Sequence, residues 1–469
     1  MDGHRPIIAS RHGVVAAAHP LAAAAGARLL GKGGNAFDAA VAAAAAFGVV
    51  APFAAGLGGV GVGLCFVAAD RRLRSLDYMG RTPENLPAPP PVRSPKCAVA
   101  PACLAGWYNL LSAHGTRTLA DVLAPAIALA RDGFPLTAGL AAGFTATRAA
   151  QPGLAAWLGG LDAAPDSFRP GAVLRQPALA ATLEAIAAHG PRHFYSGTLG
   201  ERLTAGIEAS GGNLPREALL SVDPDWGRPV AVESRGSAVH VPCPPAQALD
   251  VLLGLALLEE SDLGGSDDDT AALLREAARL AAAARAGAGT DPAQAMLAEE
   301  TIDSLRTRIA GSAGSADSPS PWPAPLFPAA NTLAVADASG NVVCLTESLG
   351  SLGGSGIAAA ECGICLNDVL AYCAAPLMAD SPLGLPLLPL IATRHRHPVL
   401  ALAGGADIPR LLAALTRRLH RSQPLDAALE VAGADGSCLG GVQAVALEAA
   451  TNVATGAADP AGEGWAAPG

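Results

Sequence analysis

"FPAANTLAVADASGN", residues 327 to 341, decides how the rest of the chain is read. From Asn331 to Asp337 it is an apolar run that reads as a strand, closed by a turn at Ser339–Gly340. The segment before it has another character. "GSAGSADSPSPWPAP" (311 to 325) is built from Gly, Ser, Ala and Pro. A long loose loop that feeds a buried strand is unusual inside a compact domain. It raises the question of a junction made to be cut, with 311–329 as the loose part.

Outward from this point the chain continues as strands. "NVVCLTES" (341 to 348) and "GICLNDV" (363 to 369) follow, with a second turn at Gly353–Gly354. "PVLALAGG" (398 to 405) is a fourth strand that runs into a helix from Ile408 to His420. "GGVQAVAL" (440 to 447) is one more, ahead of a tail rich in Gly, Ala and Pro. Upstream, a strand at 13–20 leads to a helix that Gly33 and Gly34 stop, and Asn35 caps the next helix with Asp38 in its first turn. A Gly turn and strand (56 to 68) and a hairpin partner (73 to 78) follow. Helices are expected at 119–131, 176–189, 199–211, 246–260, 268–286 and 291–309, with a strand pair at 229–245 turning at Arg235–Gly236. No internal repeat is present. Helices mostly first and strands mostly last predict one α+β domain with layered sheets.

Composition sets the outer limits. Of 469 residues, 51% are hydrophobic and 15% charged, which favours a large core over disorder. A net charge of -10 without runs of Lys or Arg argues against nucleic acid and anionic membranes as partners. The nine Cys include one C-x-x-C pair, Cys362 and Cys365, with no second pair to complete a zinc site, so buried thiols and no metal or cofactor are expected. Free thiols, and a start "MDGHRPIIASRHG" without the pattern of a secretory signal, predict a cytoplasmic protein. Ala39 to Ala69 is uncharged and long enough to span a membrane, but Pro52 and several Gly interrupt it. It reads as a buried helix, a Gly loop and a strand.

Several pieces together carry a family likeness. "GVVAAAHPLAAAAGARLLGKGGNAFDAAVAAAAAFGVVAPFAAGLGGVG" (13 to 61), "LAPAIALARDGFPLT" (123 to 137), "HFYSGTLGERL" (193 to 203) and "ASGGNLPREAL" (209 to 219) are colinear with "AVADASGNVVCLTESLGSLGGSGI" (334 to 357) and "GVQAVALEAATNVATGAADP" (441 to 460). The set resembles the γ-glutamyltranspeptidase family over nearly the whole chain. The resemblance implies a four-layer αββα sandwich of the N-terminal-nucleophile hydrolase type. It also implies a single domain, 1–469, with a large-subunit-like part (1–329) and a small-subunit-like part (330–469). Members of that family cut themselves before a Thr whose hydroxyl then attacks the γ-glutamyl amide, with its own free amine as base.

Here the family motif departs from its pattern. The motif is Thr-Thr-His followed by an apolar strand that ends in Asp before a Gly-Asn turn. Asp337 and Gly340–Asn341 match the strand end and the turn, so counting back places Ala330 at the nucleophile, then Asn331 and Thr332. A methyl group cannot attack a carbonyl. Thr332 is the alternative nucleophile, two residues along the same strand face and about 6 to 7 Å away. The positions that hold the glutamyl amino group and carboxylate in the family fall on Gly350, Val369, Tyr372, Leu388 and Pro389. Gly404–Gly405 resembles the oxyanion Gly pair, and Arg81 the Arg that grips the α-carboxylate. Asn367–Asp368 resembles a structural Asn-Asn pair. His395 and His397 in "TRHRHP" alternate as metal ligands can, but read better as a solvated turn. The expectation is a degenerate, uncut homologue that holds a small molecule, associates with itself, or partners an active relative. The alternative is an active amide hydrolase or acyltransferase on a non-glutamyl substrate that uses Thr332 after self-cleavage.

Overall fold

The computed structural model describes residues 7–82, 89–161, 168–242, 246–261, 263, 267–289, 291–311, 330–373, 385–405, 407–430, 441–448, 451 and 453–469. Most of the loose loop, 312–329, therefore lies outside the described residues. Two seven-stranded sheets organise the rest. The first runs, strand by strand, Trp465–Pro468, Gly13–Ala17, Asn331–Asp337, Val342–Ser348, Val60–Val67, Arg72–Tyr78 and Asp225–Gly227. The second runs Ile8–Ser10, Val453–Ala458, Gln443–Glu448, His397–Gly404, Leu388–Arg394, Ser237–Val241 and Val230–Ser234. Every pairing between neighbours is antiparallel.

Strand alternation assigns the layers. Along Asn331–Asp337, Leu333 and Val335 join the core under the helices that cover the first sheet, while Ala334 and Ala336 face the second sheet. There they meet Ile391, Ala401, Ala403 and Val445 in a core that both sheets share. The outer face of the second sheet is covered by helices Leu249–Leu258, Asp267–Ala286 and Ile408–Leu415. The order helix, sheet, sheet, helix is the expected αββα sandwich.

The uncharged stretch 39–69 is what its Pro and Gly suggested. Helix Ala36–Val50 is buried along its whole length, and strand Val60–Val67 follows a Gly-rich turn. Ala and Gly let the helix Pro20–Gly31 lie close against it. A Cβ at Gly26 would come within 2.8 Å of the Ala39 carbonyl, and overpacking of this kind costs about 1–3 kcal/mol. No described helix is long and apolar enough to cross a membrane. Asn35 closes a capping box with Asp38, as its sequence position implies. At the other end of the motif, Asp337 ties the two parts of the chain together. It accepts from Ala36 N at the start of the buried helix (2.9 Å), from Ser339 N (2.9 Å), and from Asn341 N (3.0 Å) and Nδ2 (2.8 Å).

Elsewhere the sequence reading is adjusted. The expected helix 291–309 is two, Pro292–Met296 and Glu299–Gly311. "GICLNDV" forms only a two-residue strand before a helical turn at Val369–Tyr372. The tail makes two strands, Val453–Ala458 and Trp465–Pro468, because its small residues fit a tight space. A Cβ at Gly456 would collide with the Val14 side chain. Helices Cys103–His114 and Ala138–Ala150 had no clear sequence signal.

Candidate functional site

The two faces of the strand entrance do different things. Asn331, Glu347, Gly61 and Tyr78 stand directly opposite one another across four strands, on the face toward the helices. Glu347 is fully buried and lies at the centre of a polar knot. It accepts from Asn331 Nδ2 (2.9 Å) on one oxygen, and from Tyr78 OH (3.0 Å) and Trp107 Nε1 (2.6 Å) on the other. No cation among the described residues pairs with it. Burial pushes its pKa up, while these three donors pull it back. Gly61 makes the knot possible, since a Cβ there would reach within 2.5 Å of the Tyr78 ring and 2.8 Å of Glu347 Cγ.

The opposite face looks into the space between the sheets. Thr332, Thr346 and Val62 form the next row there. Thr332 is fully buried, its Oγ1 donates to the Gly441 carbonyl (3.2 Å), and its own carbonyl accepts from Ala18 N (3.1 Å). Gly441 is backed by Asp459, which accepts from Val442 N (3.3 Å), from Ala461 N (2.9 Å) and from Arg410 Nη2. Thr346 Oγ1 is buried without a hydrogen bond. Ala330 lies immediately before the strand and is 4% exposed. Continuing the register sets it opposite Ser348, whose Oγ accepts from Gly350 N (2.8 Å).

The remaining predicted positions divide. Leu388 pairs with Gly404 and Pro389 with Ala403, so both stand beside the Gly404–Gly405 turn at this end of the molecule. Leu388 is absorbed into the core of the outer helices, and a Cβ at Gly404 would press on Leu411, whereas Gly405 has open space around it. Gly350 has φ +94, a Cβ there would land on Asp368 Oδ1, and the Tyr372 ring is 3.1 Å from the same point. Asp368 accepts from Ser351 N (2.9 Å), Ser351 Oγ (2.5 Å), Arg93 N (3.3 Å) and Tyr372 OH (3.4 Å), and burial raises its pKa. Val369 and Leu370 close an apolar cluster with Val60, Val62, Met79 and Val99. Asn367 spans loops by bonding Val99 N (3.0 Å) and Gly58 O (2.9 Å), the structural role expected of it. Arg81 is exposed three residues beyond the Arg72–Tyr78 strand, which ends at Tyr78 in the same row as Asn331. Ala330, Thr332 and the Gly pair are thus brought to one end of the sandwich. Cys362 and Cys365 are buried thiols, and the described residues hold no cluster of three or more metal-ligating side chains.

A family model described as gamma-glutamyltranspeptidase matches residues 22–384. The chain belongs to the γ-glutamyltranspeptidase family. It is 34% identical over 404 residues to the acylase ACY 1 proenzyme of Pseudomonas sp. (strain V22), covering 78% of this chain and 70% of that one. It is 29% identical over 393 residues to the glutathione hydrolase proenzyme of Escherichia coli (strain K12), covering 77% and 67%. In fold it is similar to the cephalosporin acylase from Bacillus halodurans, with a TM-score of 0.88, 24% identity and coverage of 100% and 98%. The γ-glutamyltranspeptidase of Helicobacter pylori gives a TM-score of 0.58 at 26% identity, covering 66% of this chain and 94% of that one.

Within this family frame, some residues at the site escape a sequence reading. Thr346 and Ser348 were within reach, because strand periodicity puts them on the face of their strand opposite to that of Glu347. A lone Glu in the apolar run "NVVCLTES" was also a signal. Trp107 and Arg410 were not legible, since only the tertiary fold brings them to the entrance.

Proposed function

We propose that this family member stays a single uncut chain without γ-glutamyl transfer, and that it binds a small molecule or a partner instead. The observation that carries the reading is the methyl of Ala330 at the entrance to the strand. The nearest hydroxyl along the chain, on Thr332, sits inside the ladder with its side chain and carbonyl both bonded. Cutting at Asn331–Thr332 would also free the backbone of Asn331, whose side chain donates to Glu347. The remodelled pocket supports the same reading. Gly350, Tyr372 and Asp368 fit one another, and Val369 completes an apolar cluster, so a substitution at 330 alone does not account for the difference. Intact mass spectrometry of freshly made protein should give one species of full length, with no turnover of a γ-glutamyl chromogenic amide. Two fragments, or turnover, would overturn the reading.

The acylase likeness favours a second reading, in which the chain cuts before Thr332 and acts on a different amide. An N-terminal Thr332 found by sequencing, together with loss of cutting in Thr332→Ala, would establish it.

A further inference from the structure

Three hairpin turns at the end of the sandwich away from Ala330 place non-glycine residues in left-handed backbone. Arg71 has φ 51, Arg235 φ 48, His395 φ 50 and Arg396 φ 64. His395 and Arg396 form the whole two-residue loop between Leu388–Arg394 and His397–Gly404. With both at positive φ, this is the geometry that normally selects Asn-Gly. A strained position occupied by a charged side chain points to a use for that side chain.

Arg235 shows what an ordinary solution looks like. Its backbone N donates to Glu259 Oε1 (3.0 Å) and its guanidinium to the Glu259 carbonyl (2.6 Å). The neighbouring turns lack such a partner. Arg71 comes from one sheet and the 394–397 turn from the other, and Arg71 Nη2 meets His397 Nε2 at 2.7 Å. Arg394 donates to Ser237 Oγ (3.0 Å), and Arg418 lies close enough for Arg394 to act on its charge. Among the described residues no carboxylate pairs with Arg71, Arg394, Arg396 or Arg418. In a chain of net charge -10 this is a local excess of positive charge, held where two turns converge.

We infer that Arg71, Arg394, His395, Arg396 and His397 form a binding site for a small oxyanion of the phosphate type, remote from the strand entrance. Guanidinium groups suit such a ligand by bidentate hydrogen bonding. Calorimetric titration with inorganic phosphate in a chloride buffer should show saturable binding to the full chain. The double variant His395→Asn/Arg396→Gly gives the turn its preferred residues. It should raise Tm while weakening phosphate about tenfold, the loss expected for one charged contact. Arg71→Ala should weaken phosphate similarly, and Arg235→Ala should leave it unchanged. Absence of saturable phosphate binding would overturn the site. So would binding that survives the double variant, or binding that falls equally with Arg235→Ala.

Discussion

The two ends of strand Asn331–Asp337 lie less than 25 Å apart at about 3.4 Å per residue, yet they have been treated differently. At the Asp337 end the family pattern is intact: three of the four hydrogen bonds its carboxylate accepts close the local turn, and the fourth, from Ala36 N, holds one part of the chain to the other. At the Ala330 end the strand entrance carries a buried methyl, opposite Ser348. There Gly350 leaves room for Asp368 and Tyr372, and Val369 packs with Val60, Val62, Met79 and Val99. Under the uncut-chain proposal, the strand is retained for its fold while its chemistry has changed.

If this contrast is right, the largest stability loss belongs at the base. Asp337→Ala leaves four donors without their acceptor, one of them at the N-terminus of a wholly buried helix. The expected loss is about 3 to 5 kcal/mol, read from chemical denaturation. A loss below that of any change near the tip would break the comparison.

Next comes the polar knot behind the tip. Glu347→Ala strands Tyr78, Trp107 and Asn331 together, at a cost of about 3 kcal/mol. Glu347→Gln should be far milder. Asn331 Oδ1 makes no hydrogen bond in the wild type, so its amide can turn to accept from the new NH2 group. The pair also has a pH signature. Burial raises the folded-state pKa of Glu347 above its ordinary value of 4.5, so the folded chain binds more protons than the unfolded chain in that window. The contribution of Glu347 to stability is therefore fully present below pH 4.5 and is lost as pH rises through the raised pKa. Denaturation midpoints for Glu347→Gln should lose this part of the pH dependence, so the variant gains on wild type as pH increases. A constant difference between pH 4 and 8 would rule out the titration.

What could be read in advance follows from the range of the forces. The base of the strand was legible because a turn is local: Asp, Gly and Asn act within five residues, and Gly340 takes the positive φ that such a turn needs. The layers were legible through alternation and through the family likeness. The tip was only half legible. The methyl at 330 is visible in the letters, but the way Gly350 clears space for Asp368 and Tyr372 depends on loops that meet only in three dimensions. The tail strands were missed because Ala and Gly carry little strand propensity, and the space beside Val14 selected them instead.

Gly350 supplies a smaller effect. Gly350→Ala adds a Cβ that meets Asp368 Oδ1 in a backbone of φ +94, and about 2 kcal/mol should be lost. Thermal denaturation checks this. A neutral result would mean that the pocket residues are loosely held and had decayed without packing together.

Ala330→Thr should change least in stability, within about 1 kcal/mol, and it tests the contrast most directly. It places a hydroxyl opposite Ser348, with Gly404–Gly405 at the same end of the molecule. If a lost oxygen were the whole difference, the variant would cut itself and appear as two bands on a denaturing gel. The uncut-chain proposal leads to the opposite expectation, a single full-length band, because Ser348 Oγ already accepts from Gly350 N. Correct chemistry in the wrong enclosure lacks the positioning on which acyl transfer depends, where a displacement of about 1 Å can cost a hundredfold in rate.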